Sequence, residues 1–256
     1  MTLEVRDLRF AYGTRPILRD VGFGPLRPGQ LTALIGPNAS GKSTLFRTIA
    51  GLLRAQGEVT LNGHDLARLG PRERLSRVCF MPQFFAANAA LTVFDVVMMA
   101  RKNLSGWRVT SEDMQAVGQA LHTAEIGHLS DAYISELSGG QSQMVSVAQA
   151  LIRTSDVYLF DEPTSALDLN HQLRVLGQIR GAIAARDAIG IVALHDLNLA
   201  ARFADHLILL GQGRILAEGA PADILRRPEV GETYGVDIHI TQGPREDLIV
   251  HAYAPA

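Results

Sequence analysis

Short apolar runs alternate with longer amphipathic stretches along the chain. Alternating apolar positions over residues 3–10 predict a half-buried first strand that ends at Tyr12-Gly13. Compact apolar runs bounded by turn residues predict further strands. These runs are LTALI (31–35), EVTLNG (58–63), RVCFM (77–81), VYLF (157–160), IGIVAL (189–194) and HLILL (206–210).

Helical periodicity occupies the intervening segments. Residues 45–53 predict a helix ended by a turn at Gln56-Gly57, and Leu169 to Ile183 predict another. Between Pro82 and Ser155 the pattern is helical. Thr110 and Asp113 there have the spacing of a capping box, followed by one apolar face. That face consists of Met114, Val117, Leu121 and Ala124.

Strands alternating with helices predict an α/β fold with a mostly parallel sheet covered by helices. We expect one domain over residues 1–256, with a core built from 1–83 and 156–256. Residues 84–155 would form a helical insertion.

Composition narrows the function. A net charge of −2 gives no support for a nucleic-acid surface, which is usually strongly basic. The one cysteine, Cys79, excludes an internal disulfide and lies in an apolar run, as a buried inert thiol would. No apolar run approaches the ~18 to 20 residues that span a bilayer, so we expect a chain that does not itself cross a membrane.

Residues 36–43, GPNASGKS, lie between the strand predicted at 31–35 and a predicted helix. They match the P-loop pattern, in which backbone N–H groups surround phosphates and the helix dipole favours their charge. Lys42 can reach the β and γ phosphates, and Ser43 can offer a hydroxyl to Mg²⁺. A chance glycine-rich turn is the alternative, but the strand–loop–helix context favours a nucleotide site.

An acidic pair follows the run at 157–160. Asp161 ends the predicted strand, where a carboxylate can hold Mg²⁺ through its water shell. Glu162 comes next and, in an extended chain, points to the other side. Beside a γ-phosphate, Glu162 could deprotonate an attacking water as the general base. Two acids could instead begin a helix, but the buried strand before them favours the site.

Together the motifs resemble the ATP-binding cassette (ABC) family over about residues 3–240. They are GPNASGKST (36–44), MPQ (81–83), LSGGQ (137–141), VYLFDEP (157–163), SALD (165–168) and His195. The resemblance implies a P-loop ATPase fold with a mostly parallel core sheet, an antiparallel β portion at the N-terminus and a helical subdomain. It also implies ATP and Mg²⁺ as cofactors and ATP hydrolysis as the activity.

The family resemblance gives the glycine-rich segment LSGGQ a role. Two cassettes of this family pair head to tail, and the segment of one contacts the ATP held by the other. Ser138, Gly139, Gly140 and Gln141 would then present backbone N–H groups and a helix N-terminus to the partner's γ-phosphate. A plain N-cap by Ser138 fits the same residues but leaves the double glycine unexplained.

The resemblance also assigns single residues. Catalysis would depend on Glu162, His195 and Gln83, with His195 holding Glu162 and binding the γ-phosphate. Mg²⁺ would be held by Ser43, Gln83 and Asp161, and Asp168 would shape the dimer contact. Residues binding ATP within the chain would be Tyr12 (stacked on adenine), Gly36, Pro37, Asn38, Ala39, Ser40, Gly41, Lys42, Ser43 and Thr44.

Two positions depart from the family pattern. Ala39 stands where glycine is common, so a left-handed backbone there would be slightly costly. After LSGGQ, family members often have a segment that contains arginine. Here the segment is SQMVS, in which Gln143 is the main polar residue that matches the family pattern. Neither change removes a catalytic group.

Three segments resemble the importers of ferric siderophores, haem and cobalamin. They are EPTSALDLNHQ, LHDLNLAARFADHLILL and GRILAEGAPADIL. LDLNHQ is most similar to the siderophore branch, with haem second and cobalamin third. The resemblance implies partners in a second copy of the chain, separate transmembrane permease subunits and, indirectly, a substrate-binding protein, at the cytoplasmic face of the cell membrane. It also implies that residues 84–97 form a groove for the membrane subunit. Internal core of the helical subdomain is the alternative, and the sequence favours neither.

The family also includes functional classes other than importers. The chromosome-maintenance relatives carry a long coiled coil, and the ribosome-acting ones carry two cassettes, neither of which this sequence has. Export remains an alternative, although LDLNHQ favours import. A soluble ATPase of iron–sulfur cluster assembly is the leading non-transport alternative. The tail 243–256 matches no motif.

Overall fold

The computed structural model describes residues 1–83, 90–102, 106, 108–244 and 247–255. Strands occupy much of both ends of the chain. They are β1 (Leu3–Tyr12), β2 (Arg15–Leu26), β3 (Leu31–Ile35), β4 (Gln56–Leu61), β5 (His64–Asp65), β6 (Val78–Met81), β7 (Val157–Asp161), β8 (Ile189–Ala193), β9 (His206–Gly211), β10 (Arg214–Gly219), β11 (Asp237–Gln242) and β12 (Leu248–Tyr253).

The helices lie mostly between the strands. They are α1 (Lys42–Ile49), α2 (Pro71–Arg77), α3 (Val93–Lys102), α4 (Ser111–Thr123), α5 (Gly139–Leu151), α6 (Leu169–Ala185), α7 (Leu197–Phe203), α8 (Pro221–Ile224) and α9 (Pro228–Tyr234). Short 3-10 turns occupy Leu66–Arg68, Gly127–Leu129 and Ile134–Glu136. Among the residues described, no helix combines the length and apolar character needed to cross a bilayer.

The central sheet has the strand order β10-β9-β3-β8-β7-β6. Its neighbouring strands are parallel except for β10 and β9. A second, antiparallel sheet has the order β2-β1-β4-β5. The predicted α/β fold, with a mostly parallel core and an antiparallel N-terminal portion, is confirmed.

The central sheet is buried on both faces, which is why its strands read as continuous apolar runs. In β3, Leu31, Ala33 and Ile35 pack into a core shared with the helices that follow α2. Leu34 points the other way, into a core shared with α1 and the antiparallel sheet. Cys79 of β6 is buried as predicted, and burial raises the pKa of its thiol.

Helices α3, α4 and α5 pack against one another between β6 and β7 in the sequence. In α3 the side chains of Val93, Val96 and Val97 are buried. That part of the 84–97 segment therefore serves as core. Residues 84–89 lie outside the described residues, so a groove there stays a prediction, as do the boundaries at 84 and 155.

Two sequence-based predictions of helices are corrected. The helix predicted at 45–53 occupies Lys42–Ile49, and Gln56-Gly57 begins strand β4 instead of forming a turn. Met114 was predicted on the apolar face of its helix but is exposed, in the first turn of α4. The capping box of Thr110 and Asp113 is present as predicted.

The C-terminal residues form a feature that the sequence did not reveal. Strands β11 and β12 pair as an antiparallel ribbon, which includes part of the tail at 243–256. Ile238, Ile240 and Leu248 pack on the main core, and Val250 is buried there. This ribbon lies against α7.

Candidate functional site

The loop at residues 36–41 joins the carboxyl end of β3 to α1, the place where ligands bind in open α/β sheets. A side chain at Gly36 would collide with the carbonyl oxygen of Leu210, so only glycine fits there. Ala39 has φ 62°, the left-handed conformation expected at that position, at a cost of about 1 kcal/mol.

Lys42 begins α1 and is buried beneath this loop. Its Nζ donates to the carbonyl oxygens of Gly36 (2.7 Å) and Pro37 (3.1 Å). Burial lowers the pKa of the Lys42 ammonium, while the carboxylates of Glu162 and Asp161 act in the opposite direction. A positive charge is therefore held beside two acidic groups at one end of the loop.

Asp161 ends β7 and is 2% exposed. Burial raises the pKa of its carboxyl group, and a hydrogen bond from the Ser43 hydroxyl opposes that shift. Within the described residues, Asp161 Oδ1 is buried without a hydrogen-bond partner. A buried carboxylate oxygen with no donor, next to a hydroxyl, is the donor set that Mg²⁺ prefers, so these residues fit the metal.

Glu162 does not continue the strand, which corrects the extended conformation expected from the sequence. Its φ is 54°, in the left-handed region. The turn is held by two side-chain donors to the Glu162 carbonyl oxygen, Gln143 Nε2 (3.0 Å) and Ser165 Oγ (3.2 Å), and by the backbone N–H of Ser165 (3.3 Å). Gln143 is buried in α5, so the LSGGQ-bearing helix fixes the backbone of the acidic residue in its own chain.

The three predicted catalytic side chains meet. Gln83 Nε2 donates to Glu162 Oε2 at 2.6 Å, and His195 Nε2 is hydrogen-bonded to Glu162 Oε1. Gln83 follows β6 and His195 follows β8, so the parallel sheet brings both to the same edge as Glu162. The side chain of Glu162 is 13% exposed, and it is orientated from both sides.

The LSGGQ segment begins α5, with Ser138 as the N-cap. Ser138 Oγ accepts from the N–H of Gln141 (3.3 Å), and Gln141 Oε1 accepts from the N–H of Ser138 (2.9 Å). A side chain at Gly140 would be tight against the carbonyl oxygen of Ala166, which explains that glycine within one chain. Gly139 is exposed and has room for a side chain, so packing does not explain it.

Asp168 lies beside this segment. It is the N-cap of α6, and its Oδ1 accepts from the N–H (2.9 Å) and pairs with Nδ1 (2.8 Å) of His171. These hydrogen bonds, that of the His171 backbone first, hold the pKa of the Asp168 carboxyl below its usual value. Ser138, Gly140, Gln141 and Asp168 line one concavity of about 340 Å³.

The remaining residues predicted to bind ATP differ in their exposure. Tyr12 ends β1 and is 47% exposed, with its ring edge-on to that of Phe10 at 4.8 Å between centroids. Ser40 is buried, whereas Asn38 is exposed and Thr44 is half-buried. Among the described residues, no hydrogen bond joins 138–141 to 36–44.

The fold and the loop at residues 36–41 define a P-loop protein. Comparison with known proteins identifies its family. Residues 18–165 match the ABC transporter family. The "Hemin import ATP-binding protein HmuV" of Thermobifida fusca is 37% identical over 246 residues, 96% of this chain and 86% of the relative. The "Probable siderophore transport system ATP-binding protein YusV" of Bacillus subtilis is 33% identical over 94% of this chain and 89% of its own.

Solved structures agree. An inward-facing structure described as a metal-chelate type ABC transporter aligns with a TM-score of 0.81 and 27% identity, over 100% of this chain and 98% of the other. The dimeric cassette MJ0796 bound to ADP and phosphate aligns with a TM-score of 0.77 and 25% identity, over 86% of this chain and 98% of the other. The chain belongs to the ABC transporter family, as an ATPase subunit that binds ATP.

Proposed function

We propose that this ATPase energises an importer of iron chelates, acting with separate permease subunits at the cytoplasmic face of the cell membrane. The supporting observations are the similarity to chains named for hemin import and siderophore transport, and the LDLNHQ text. A ferric siderophore is the cargo that the sequence favours. Haem is the second candidate, favoured by the 37% identical relative.

The observation that carries the catalytic proposal is the convergence of Gln83 and His195 on the carboxylate of Glu162. Glu162 lies close enough to Lys42 for its carboxylate to favour the charged ammonium, opposing the effect of burial on the Lys42 pKa. We assign Glu162 as the general base that takes a proton from the attacking water. Gln83 and His195 orientate that carboxylate, and His195 also binds the γ-phosphate.

The residues around the loop would bind the nucleotide. The N–H groups of 36–44 and the ammonium of Lys42 would hold the phosphates, with Tyr12 stacked on adenine. Ser43, Asp161 and Gln83 would hold Mg²⁺, which when bound neutralises charge on the β and γ phosphates. Catalysis would come mainly from positioning and charge stabilisation.

The second half of each site would come from another copy of the chain. Ser138, Gly139, Gly140 and Gln141 are at a helix start whose first residues are exposed, and within the described part of the chain no hydrogen bond links them to their own phosphate loop. Paired head to tail, two chains would close these residues, with Asp168 beside them, over the partner's ATP. Hydrolysis would reopen the dimer, and the permease subunits would follow that motion. A substrate-binding protein would act only through the permease.

Uptake by cells identifies the cargo and tests the proposal. A strain lacking this chain receives the native chain, Glu162→Gln, or the control Glu58→Gln, which alters an exposed strand residue. We expect the native chain and the control to restore uptake of an iron-loaded siderophore, and Glu162→Gln to fail.

The other results are equally informative. Restoration of haem uptake alone would move the chain to the haem branch. If uptake of siderophore, haem and cobalamin were each the same with and without the chain, import of these cargoes would be contradicted, and the alternative in iron–sulfur cluster assembly would take its place.

A further inference from the structure

The backbone of Gly36, the first residue of the phosphate loop, is held from two directions. Its carbonyl oxygen accepts from Lys42 Nζ at 2.7 Å, and its N–H donates to the hydroxyl oxygen of Tyr234 at 2.7 Å. Tyr234 is 198 residues away in sequence. It lies at the end of α9, outside the motifs that the sequence indicated.

Tyr234 is held in place by its surroundings. Val230, one turn earlier in α9, is fully buried, and the side chain of Thr233 lies against Gly211 at the end of β9. Strand β9 neighbours β3, which leads into the phosphate loop. Helix α9 is therefore fixed beside the strands at whose edge Gly36 lies.

The far end of the C-terminal segment is also anchored. The side-chain amide of Asn198, in α7, donates to the Val250 carbonyl oxygen (3.2 Å) and accepts from the Val250 N–H (2.7 Å). This pairing attaches the ribbon of β11 and β12 to the helix that follows His195. The segment from α9 to β12 thus contacts the chain on both sides of the nucleotide site.

We infer that Tyr234 is a positioning residue of the nucleotide site, which fixes the entry of the phosphate loop through the Gly36 N–H. When Lys42 turns to phosphate oxygens, the Gly36 carbonyl loses its ammonium donor. The hydroxyl of Tyr234 still holds the preceding peptide unit, Ile35–Gly36, through the Gly36 N–H, so the entry of the loop stays fixed on one side. Burial raises the pKa of Tyr234 to about 12, so the hydroxyl stays protonated and neutral throughout the working pH range.

This inference rests on the proposed role of residues 36–44 in binding ATP, and it is independent of the cargo. The test compares Tyr234→Phe with the control Tyr253→Phe, which removes an exposed hydroxyl from the ribbon. A fluorescent ATP analogue gives Kd, steady-state hydrolysis gives KM and kcat, and hydrogen exchange by NMR reports on the Gly36 amide. Lys42→Ala serves as the reference for a disabled phosphate loop.

We expect Tyr234→Phe to raise Kd and KM for ATP about fivefold, the equivalent of one hydrogen bond, with a much smaller change in kcat. Exchange of the Gly36 amide should accelerate in this variant, and Tyr253→Phe should match the native chain. A purely structural role would lower thermal stability without separating KM from kcat.

Native-like Kd, KM and Gly36 exchange in Tyr234→Phe would overturn the inference. So would rapid exchange of the Gly36 amide in the native chain, a result that needs no variant. If the native chain bound the analogue no better than Lys42→Ala, the assignment of residues 36–44 to ATP would itself be wrong, and the inference would fall with it.

Discussion

The nucleotide site contains side chains whose placement is unfavourable for folding alone. Asp161 is almost fully buried, and its Oδ1 has no donor among the described residues. Glu162 adopts a left-handed backbone that costs a non-glycine residue roughly 1–2 kcal/mol. Such local penalties are typical of residues retained for chemistry rather than stability.

Replacing Asp161 by Asn tests this interpretation. The neutral amide removes a buried charge, so we expect the nucleotide-free chain to gain about 1 kcal/mol in stability, the order of one unsatisfied buried polar atom. That gain corresponds to a rise in Tm of about 2–4 °C for a chain of this size. Thermal unfolding without nucleotide measures it. A lower Tm for Asp161→Asn would show that the carboxylate stabilises the fold.

Sequence reasoning found the side chains of this site that carry recognisable chemistry, and the structure brings Gln83, Glu162 and His195 together. It did not find the groups that fix the backbone of the site. Gln143 supports the Glu162 backbone across 19 residues, and Tyr234 reaches Gly36 across 198. Neither residue has a local signal for its role, because each contact arises only when the central sheet assembles.

At the scale of elements, the start of α4 is tied to the end of α3. Asp113 closes the capping box with Thr110 and also pairs with Lys102 (2.9 Å) and Arg101 (3.2 Å). These partners, the Lys102 ammonium first and the Thr110 N–H next, hold the pKa of the Asp113 carboxyl well below its usual range. One carboxylate therefore stabilises the packing of two helices.

This junction predicts a pH dependence. A depressed pKa in the folded state contributes stability that is present above the unfolded value of about 3.9 and is lost as pH falls towards the folded value. We therefore expect Asp113→Asn to be less stable than the native chain near neutral pH, and the difference to shrink below about pH 4. Chemical denaturation at several pH values measures this. A difference that does not change with pH would contradict the ion-pair account.

Some strands could be predicted from the sequence and others could not. Compact buried strands such as β3 and β7 were found to within a residue, because continuous apolar runs bounded by turn residues mark them. Strand β2 was missed, since Gly22, Gly24 and Pro25 interrupt it and its pairing with β1 shifts register repeatedly. The ribbon of β11 and β12 was missed because its apolar side chains find their partners only on α7 and the main core.

At the scale of the whole molecule, the proposed function gives one chain two incomplete half-sites. The phosphate loop with Glu162 would form one half, and the concavity lined by Ser138 and Asp168 would form the other. The proposed head-to-tail dimer would unite them. This arrangement predicts that damage to the second half-site spares nucleotide binding by a single chain while stopping turnover.

Ser138→Arg places a bulky charge where the partner's γ-phosphate would approach. We expect at least a hundredfold loss of hydrolysis, the order associated with removing a stabilising donor group, while Kd for ATP on the monomer stays unchanged. Ser111→Arg, at the exposed start of α4, is the matched control and should keep native turnover. Loss of monomer binding in Ser138→Arg would mean that LSGGQ acts in the site of its own chain.

The central claim is that Glu162 is the base of an ATP site completed by a second chain. The most direct measurement is light scattering with size-exclusion chromatography on Glu162→Gln, with and without Mg·ATP. The variant binds but should not hydrolyse ATP, so we predict a stable species of twice the chain mass that retains uncleaved ATP. A monomer with ATP bound, or hydrolysis at the native rate, would contradict the account.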